Sequence, residues 1–507
     1  MSEGDSGVPV RPGNHLLRGS AWLIAMRWTM RLTGVISTII LARLLTPRDF
    51  GVVAIAMVVV GLFEMLSATG QGGAIIRHHD PSRQHYDAAW TVSVALGFAI
   101  SIAIVLMAPL TRFYFHDDRS VLVMQCLALR AAMSGLENIG TVDFRRDLRF
   151  NRFFGYNLYA KLASFVITVT LAVLLRNYWA LVAGILCGQF ARTVLSYTMH
   201  SYRPRISFAK IPEIWLFSVW TFVRHIGAYF QAELDVIAVG GATGSVSMGR
   251  YTVAKDIASS PTDEIIGPMS SVLFPVMARC QHDPVQLRQL YLNMLGWAMI
   301  IGASTGIGIW LVAPDMVQLV LGDKWVSITP FVGWLAVTAS VEKMHGGAFA
   351  TLDVLGAAGV GAALQWFRVV ALLMTIFPVA YLTRDLLDVV IVRFVVTALL
   401  VPPLLFVAGR RIGITARVYA SVCWRPFAAA SIMAAAVWLL NLGLPIGGTV
   451  RLGLDVFVGA MFYGGTLFVL WAASGRPSTA ERDLLGLLVG IWARFSTIRA
   501  RVLEMAR

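Results

Sequence analysis

The sequence predicts an all-α polytopic membrane protein of about 14 transmembrane helices. Three observations predict it. Of the 507 residues, 57% are hydrophobic and only 14% charged, with a mean hydropathy of +0.71, a balance far too apolar for a soluble fold of this size. Apolar stretches such as 52–65, 91–110, 165–175, 299–313 and 369–382 recur with short polar breaks. With their flanks, most approach the roughly 20 residues that cross about 30 Å of hydrocarbon. The basic residues gather in alternate loops. Open sheets cannot satisfy their backbone in lipid, and the short alternating segments of an outer-membrane barrel are missing.

The chain starts with a polar, Gly/Pro-rich tail, 1–18, with no apolar run before a cleavage site, so the first helix is expected to act as the insertion signal. Spans are then expected at 21–45, 51–76, 88–111, 120–141, 153–175, 178–199, 214–240, 248–277, 291–313, 327–350, 357–381, 386–408, 421–441 and 452–473. Spans 1–6 fall in residues 19–205, spans 7–12 in 206–410 and the last two in 411–475. With a cytoplasmic N-terminus, the cytoplasmic segments carry Arg11 and Arg18, Arg77 and Arg83, Arg145, Arg146, Arg149 and Arg152, then Arg203, Arg205 and Lys210, Arg279 and Arg288, and Arg410, Arg411, Arg417 and Arg425. The opposite loops carry mainly Arg48, Arg112, Arg119, Arg176, Lys324, Arg384 and Arg451. A helix wrongly added or omitted would scramble this alternation, so both termini are expected in the cytoplasm.

No loop is long enough for a soluble catalytic domain of ordinary size, which puts any activity between the helices. The tail 476–507 is expected to be amphipathic. Ser478 and Glu481 suit a capping box, and Leu484, Leu485, Leu488, Ile491, Trp492, Phe495, Ile498 and Val502 follow helical spacing. An interfacial helix on the cytoplasmic leaflet fits this pattern, with packing on the protein's own loops as the alternative.

The chain also hints at duplication. Ala42-Arg43-Leu44-Leu45-Thr46-Pro47-Arg48-Asp49-Phe50-Gly51 ends one helix and opens the next, as does Gly240-Gly241-Ala242-Thr243-Gly244-Ser245-Val246-Ser247-Met248-Gly249. Aligning the turns places Arg27 over Arg224 and suits a pair of pseudo-symmetric six-helix lobes.

Charges within the spans are the main functional signal, because each costs about 3 kcal/mol at the bilayer centre on insertion scales and should face the bundle interior or water. The first span holds Arg27 and Arg31, one turn apart on one face and with no local carboxylate. Further charged positions are Glu64, Arg130, Glu137, Lys161, Arg224, His225, Glu233, Asp235, Lys255, Asp256, Glu342, Lys343, Arg368 and Arg393. Arg27, Arg31 and Arg224 are the candidate substrate-binding set, since a cationic cleft suits an anion and the planar guanidinium can hold two phosphate oxygens at once. The competing reading has them snorkelling to an interface or pairing with Glu64, Glu137 or Glu233. Arg130, Arg393 and Lys161, near helix ends or carboxylates, read as structural, as do Asp256 with Lys255 and Glu342 with Lys343. Glu64 and Glu233 are the candidate ion-coupling carboxylates.

Other chemistries find little support. The net charge of +14 is spread over helix ends and does not form a nucleic-acid patch. Cys126, Cys187, Cys280 and Cys423 are too scattered for a disulfide framework or zinc cluster. None of the five lysines follows a glycine, which excludes a Walker A loop. His78, His79 and His85 lie in a basic loop and make a poor metal set, and residues 356–361 read as a flexible turn, no strand preceding them.

Five stretches in order, Leu41-Ala42-Arg43-Leu44-Leu45-Thr46-Pro47-Arg48-Asp49-Phe50-Gly51, Trp179-Ala180-Leu181-Val182-Ala183-Gly184, Arg203-Pro204-Arg205, Phe274-Pro275-Val276-Met277-Ala278-Arg279 and Gly322-Asp323-Lys324-Trp325, span roughly residues 19–360. In these the chain resembles the multidrug/oligosaccharidyl-lipid/polysaccharide exporter superfamily, and within it the Wzx-type oligosaccharide flippases. The resemblance implies two six-helix lobes around a cavity, two extra C-terminal helices, alternating access without ATP or cofactor, and placement in the bacterial inner membrane. It also implies an undecaprenyl-pyrophosphate-type lipid-linked oligosaccharide as substrate, membrane lipids as surroundings, and a polymerase and chain-length regulator of the same pathway as partners. Where such proteins often carry a basic residue after the tenth helix, this chain reads Gly356-Ala357-Ala358-Gly359.

The leading expectation is therefore a flippase, with Trp28 and Tyr229 either stacking on sugar or packing in the core. A cation or drug antiporter of the related MATE type should place carboxylates where the first helix here has only bases. A membrane polymerase or ligase usually needs a sizeable extramembrane domain, and a passive scaffold leaves the intramembrane charges unexplained.

Overall fold

A computed structural model of the chain describes residues 12–68, 75, 81–147, 149–209, 219–443, 448–477 and 479–486. Among the described residues there is no strand, and the fold is all-α as expected. The helices are α1 (Pro12–Leu44), α2 (Pro47–Ala68), α3 (Arg83–Phe115), α4 (Arg119–Gly135), α5 (Phe150–Leu175), α6 (Trp179–Thr198) and α7 (Val219–Arg279). They continue with α8 (Pro284–Leu321), α9 (Thr329–Lys343), α10 (Gly346–Val354), α11 (Ala358–Thr383), α12 (Leu386–Arg410), α13 (Ala416–Gly443) and α14 (Thr449–Ala473). Eight of them, α3, α5, α6, α8 and α11 to α14, are long and apolar enough to cross a membrane by length and composition.

Three expected spans differ from the sequence reading. Spans 214–240 and 248–277 are the two arms of α7, separated by Gly244 at φ 81°, a backbone conformation that glycine adopts at no steric cost. Span 327–350 is broken into α9 and α10 at Met344 and His345, ahead of the Gly346-Gly347 pair. The turn after α1 follows its sequence signals. Pro47 takes the first helical position of α2, the Thr46 hydroxyl donates to Asp49 at 2.6 Å, and Asp49 also accepts from the Tyr178 amide at 3.2 Å.

The described chain divides into two compact units, one of residues 1–229 and 244–249, the other of 230–243 and 250–507. In the first, α5 packs on α6 and α1, α3 on α4, and α4 on α2 and α6, around a core that includes Val52, Ile104, Met124 and Leu127. In the second, α8 is the central post, packed on α9, α13 and α14, while α12 packs on α9 and α11. Its largest core contains Tyr291, Met299, Leu352 and Leu404.

The two turns singled out as a repeat meet each other inside the first unit. A Cβ on Gly51 would lie 1.7 Å from the Ser245 carbonyl oxygen, and one on Gly249 would lie 1.9 Å from the Pro47 carbonyl oxygen. Aligned Gly to Gly, the turns set Ser245 at the level of Pro47. The contact is therefore reciprocal. The same register sets Arg27 level with His225. Arg224 falls one position earlier, a correction to the alignment above.

At the start of the tail the expected capping box is not fully described. Ser478 lies outside the described residues, and Glu481 lies 3.0 Å from Arg425 Nε of α13 and accepts from the Thr479 hydroxyl at 2.5 Å. Ala480 is buried against α8 and α13. The tail from residue 487 onward lies outside the described residues.

Candidate functional site

In the first unit, charges from several helices surround a cavity of about 300 Å³ lined by Glu64, Arg130, Glu137, Gln189 and Arg192 among others. Arg130 Nε of α4 lies 2.8 Å from Glu64 Oε1 of α2. Glu137, just past the end of α4, accepts from Gln189 Nε2 of α6 at 2.7 Å and from the Tyr156 hydroxyl of α5 at 3.0 Å, with Arg192 Nε 3.5 Å away. The Arg192 guanidinium stands 5.4 Å over the Tyr156 ring. A neighbouring cavity of about 250 Å³ shares Ser93, Ser134, Glu137 and Arg192. Two carboxylates balance two guanidiniums here, so uptake of a proton or small ion would leave the cavity charged.

The expected substrate-binding set is placed as follows. The side chain of Arg27 lies outside the described residues. Arg31 is half-buried on α1 and within the electrostatic reach of Lys161 on α5. Lys161 was expected to sit near a helix end or a carboxylate; its evident electrostatic neighbour is another cation. Arg224 is half-buried on the first arm of α7, in the same unit. Trp28 is exposed, whereas Tyr229 is a packing residue: its hydroxyl donates to the Val58 carbonyl and its ring covers Gly61.

The second unit contains a buried ionic network. Asp235 is fully buried on the first arm of α7; its Oδ2 accepts from the Tyr251 hydroxyl at 2.5 Å and pairs with Arg393 of α12, while its Oδ1 accepts from Lys255 Nζ at 3.2 Å. Arg393 Nη2 also donates to Glu342 at 3.0 Å, and Lys255 lies 3.8 Å from Glu233. Lys343 pairs with Asp263 at 2.5 Å. The neighbours in sequence, Lys255 with Asp256 and Glu342 with Lys343, were expected to be structural charges. Lys255, Lys343 and Glu342 each find a partner distant in sequence, as expected where consecutive helical residues point about 100° apart. Arg368 of α11 is 3% exposed, and its Nη1 is buried without a hydrogen-bond partner.

Arg192, Gln189 and Tyr156 were missed as site residues. Arg192 carried the signal that found the others, a charge inside an expected span, and Gln189 lies one turn before it. Tyr156 carried none, since an interfacial tyrosine looks the same in sequence. His85 proves to be a capping residue, with Nδ1 2.8 Å from the Ser82 hydroxyl; His78 and His79 lie outside the described residues.

Residues 40–330, more than half of the chain, match the family model described as polysaccharide biosynthesis protein. The chain belongs to this polysaccharide biosynthesis family. It is 24% identical over 336 residues to the lipopolysaccharide biosynthesis protein WzxC of Escherichia coli (strain K12), covering 65% of this chain and 68% of that protein. It is 24% identical over 353 residues to the succinoglycan biosynthesis transport protein ExoT of Rhizobium meliloti (strain 1021), covering 68% and 69%. In fold it is similar to the lipid II flippase MurJ in an inward closed conformation, with a TM-score of 0.73 at 9% identity over 90% of this chain and all of the other. These likenesses bear out the resemblance to Wzx-type members of the exporter superfamily and the polytopic all-α fold. The stretch that matches the polysaccharide biosynthesis family contains Glu64, Arg130, Glu137, Arg192, Arg224, Glu233, Asp235 and Lys255. Arg27 and Arg31 precede it, and Glu342, Arg368 and Arg393 follow it.

Proposed function

We propose that this chain is a flippase that carries polyprenyl-pyrophosphate-linked oligosaccharide repeat units from the cytoplasmic to the periplasmic leaflet of the bacterial inner membrane, for exopolysaccharide or lipopolysaccharide biosynthesis. The observation that carries this reading is the cationic character of α1 and α5: Arg31 of α1 lies within the field of Lys161, which sits inside α5, a helix long and apolar enough to cross a membrane. Like charges so placed repel in a medium of low dielectric, and a bound anion relieves the repulsion. A pyrophosphate supplies that anion, and Arg27, Arg31 and Arg224 are its proposed contacts. The names of WzxC and ExoT, and a fold shared with MurJ, support the same substrate class.

Transport in this reading proceeds by alternating access of two lobes, residues 19–205 and 206–410, with spans 13 and 14 appended and both termini cytoplasmic. Glu64 and Glu233 are the proposed coupling carboxylates. Glu64 has the stronger case, since it lines the charge-balanced cavity of the first unit. A polymerase and a chain-length regulator are the proposed partners.

The test is reconstitution in liposomes with a fluorescent lipid-linked oligosaccharide whose outer-leaflet fraction is read by a membrane-impermeant quencher. Faster exchange than in protein-free liposomes supports the proposal. Exchange at the protein-free rate, with drug or cation antiport instead, rejects it.

A further inference from the structure

Arg368 holds an unusual position for an intramembrane charge. It lies within α11, is 3% exposed, and makes no ion pair among the described residues. The carboxylate near enough to act on it is Glu342, and Glu342 is already held by Arg393 at 3.0 Å. The other buried cations of the network are provided for: Arg393 by Asp235 and Glu342, and Lys255 by Asp235 and Glu233. A second unsatisfied polar atom lies close by. Nδ1 of His345 is buried without a hydrogen-bond partner, and His345 is within the field of Arg368. His345 stands at the break between α9 and α10, ahead of Gly346 and Gly347.

A buried guanidinium without a direct counter-ion is costly, and a buried polar atom left unmatched calls for a functional explanation, such as a ligand it awaits. Interrupted transmembrane helices are where transporters place ligand sites. We propose that Arg368, with His345 beside it, is an anion receptor of the second unit, shut in this conformation and open to phosphate oxygens when the tenth span bends at its break. The proposal rests on the flippase reading for its ligand, the pyrophosphate of the lipid-linked substrate. Arg368 is a residue of the second unit, distinct from the proposed set Arg27, Arg31 and Arg224.

The test is thermal unfolding of the purified full-length protein in detergent, with undecaprenyl pyrophosphate, undecaprenol or inorganic pyrophosphate added, for the unaltered protein and for Arg368→Met, Arg368→Lys and Arg31→Ala. Undecaprenyl pyrophosphate should raise the unfolding midpoint of the unaltered protein and undecaprenol should not. Arg368→Met should unfold no earlier than the unaltered protein without ligand, since it removes an unpaired buried charge, yet bind the pyrophosphate lipid about tenfold or more weakly. Arg368→Lys should retain part of the shift. A shift by inorganic pyrophosphate that Arg368→Met also loses supports the site and shows that the free anion suffices. A full lipid shift in Arg368→Met overturns the proposal, and if Arg31→Ala has lost the shift the flippase reading still stands. An Arg368→Met protein that fails to fold, or unfolds earlier, makes Arg368 a structural counter-ion of Glu342 and also overturns it. No shift in the unaltered protein rejects both the receptor and the flippase reading.

Discussion

Gly51 and Gly249 take equivalent places in one reciprocal contact, each with its Cα against the backbone of the turn that carries the other. Neither position has room for a methyl group, because the opposing atom is a carbonyl oxygen in both cases. Each turn can shift only by moving the helix start that it forms.

Gly51→Ala and Gly249→Ala should therefore destabilise the protein to similar degrees, by at least the 1–3 kcal/mol typical of overpacking. The check is the unfolding midpoint of each variant in detergent, together with its yield in the membrane. A neutral outcome at either position would show that the turns separate freely.

Replacing both Arg27 and Arg31 by Ala should abolish polymer export while membrane levels stay near normal. Lys at both positions should rescue only in part, since an ammonium cannot form the bidentate fork. Export by the double Ala variant at the unaltered level would remove these residues from the substrate site.

Glu64→Gln should impair transport and lower stability, because it leaves Arg130 without the carboxylate now 2.8 Å away. Combining it with Arg130→Met should restore folding and leave transport impaired if Glu64 carries a coupling proton. The double variant's transport rate across an imposed proton gradient decides between coupling and a structural ion pair.

Flipping should need no nucleotide and should respond to membrane potential. A pyrophosphate with about two uncompensated charges gains roughly 2.3 kcal/mol per charge per 100 mV on leaving a negative interior. In the liposome assay, a response to a proton or sodium gradient with none to potential would replace voltage drive by ion coupling. Strict dependence on added ATP would reject both.

Stability should fall in acid through Asp143, which lies outside the spans. Burial raises the Asp143 carboxyl, but hydrogen bonds with His200 and Tyr86, the latter at 2.5 Å, outweigh it and hold the group below the ordinary carboxylate range. A carboxyl depressed in the folded state adds stability that is fully present above its unfolded value and is lost as pH falls through its folded value. Tyr86→Phe should cost about 1 kcal/mol near neutral pH and reduce this acid dependence, as read from unfolding midpoints between about pH 5 and 3.

The sequence by itself determined the all-α polytopic class and the expected spans, because a lipid solvent leaves so few ways to satisfy a backbone. It also marked the paired turns and the buried charges Asp235, Arg368 and Arg393, since a charge is conspicuous in an apolar helix, but it passed over Asp87, Asp117 and Asp455. It did not determine which charges meet. Lys255 meets Asp235, and Lys343 meets Asp263, because partners are set by which helices pack together. Nor could it separate Tyr229, fixed to the Val58 carbonyl, from a ligand-stacking ring, or find Tyr156 beside Glu137. The break between α9 and α10 and the isolation of Arg368 were likewise decided by the tertiary structure: a counter-ion is a matter of distance across helices, and the spacing of residues along one chain does not encode it.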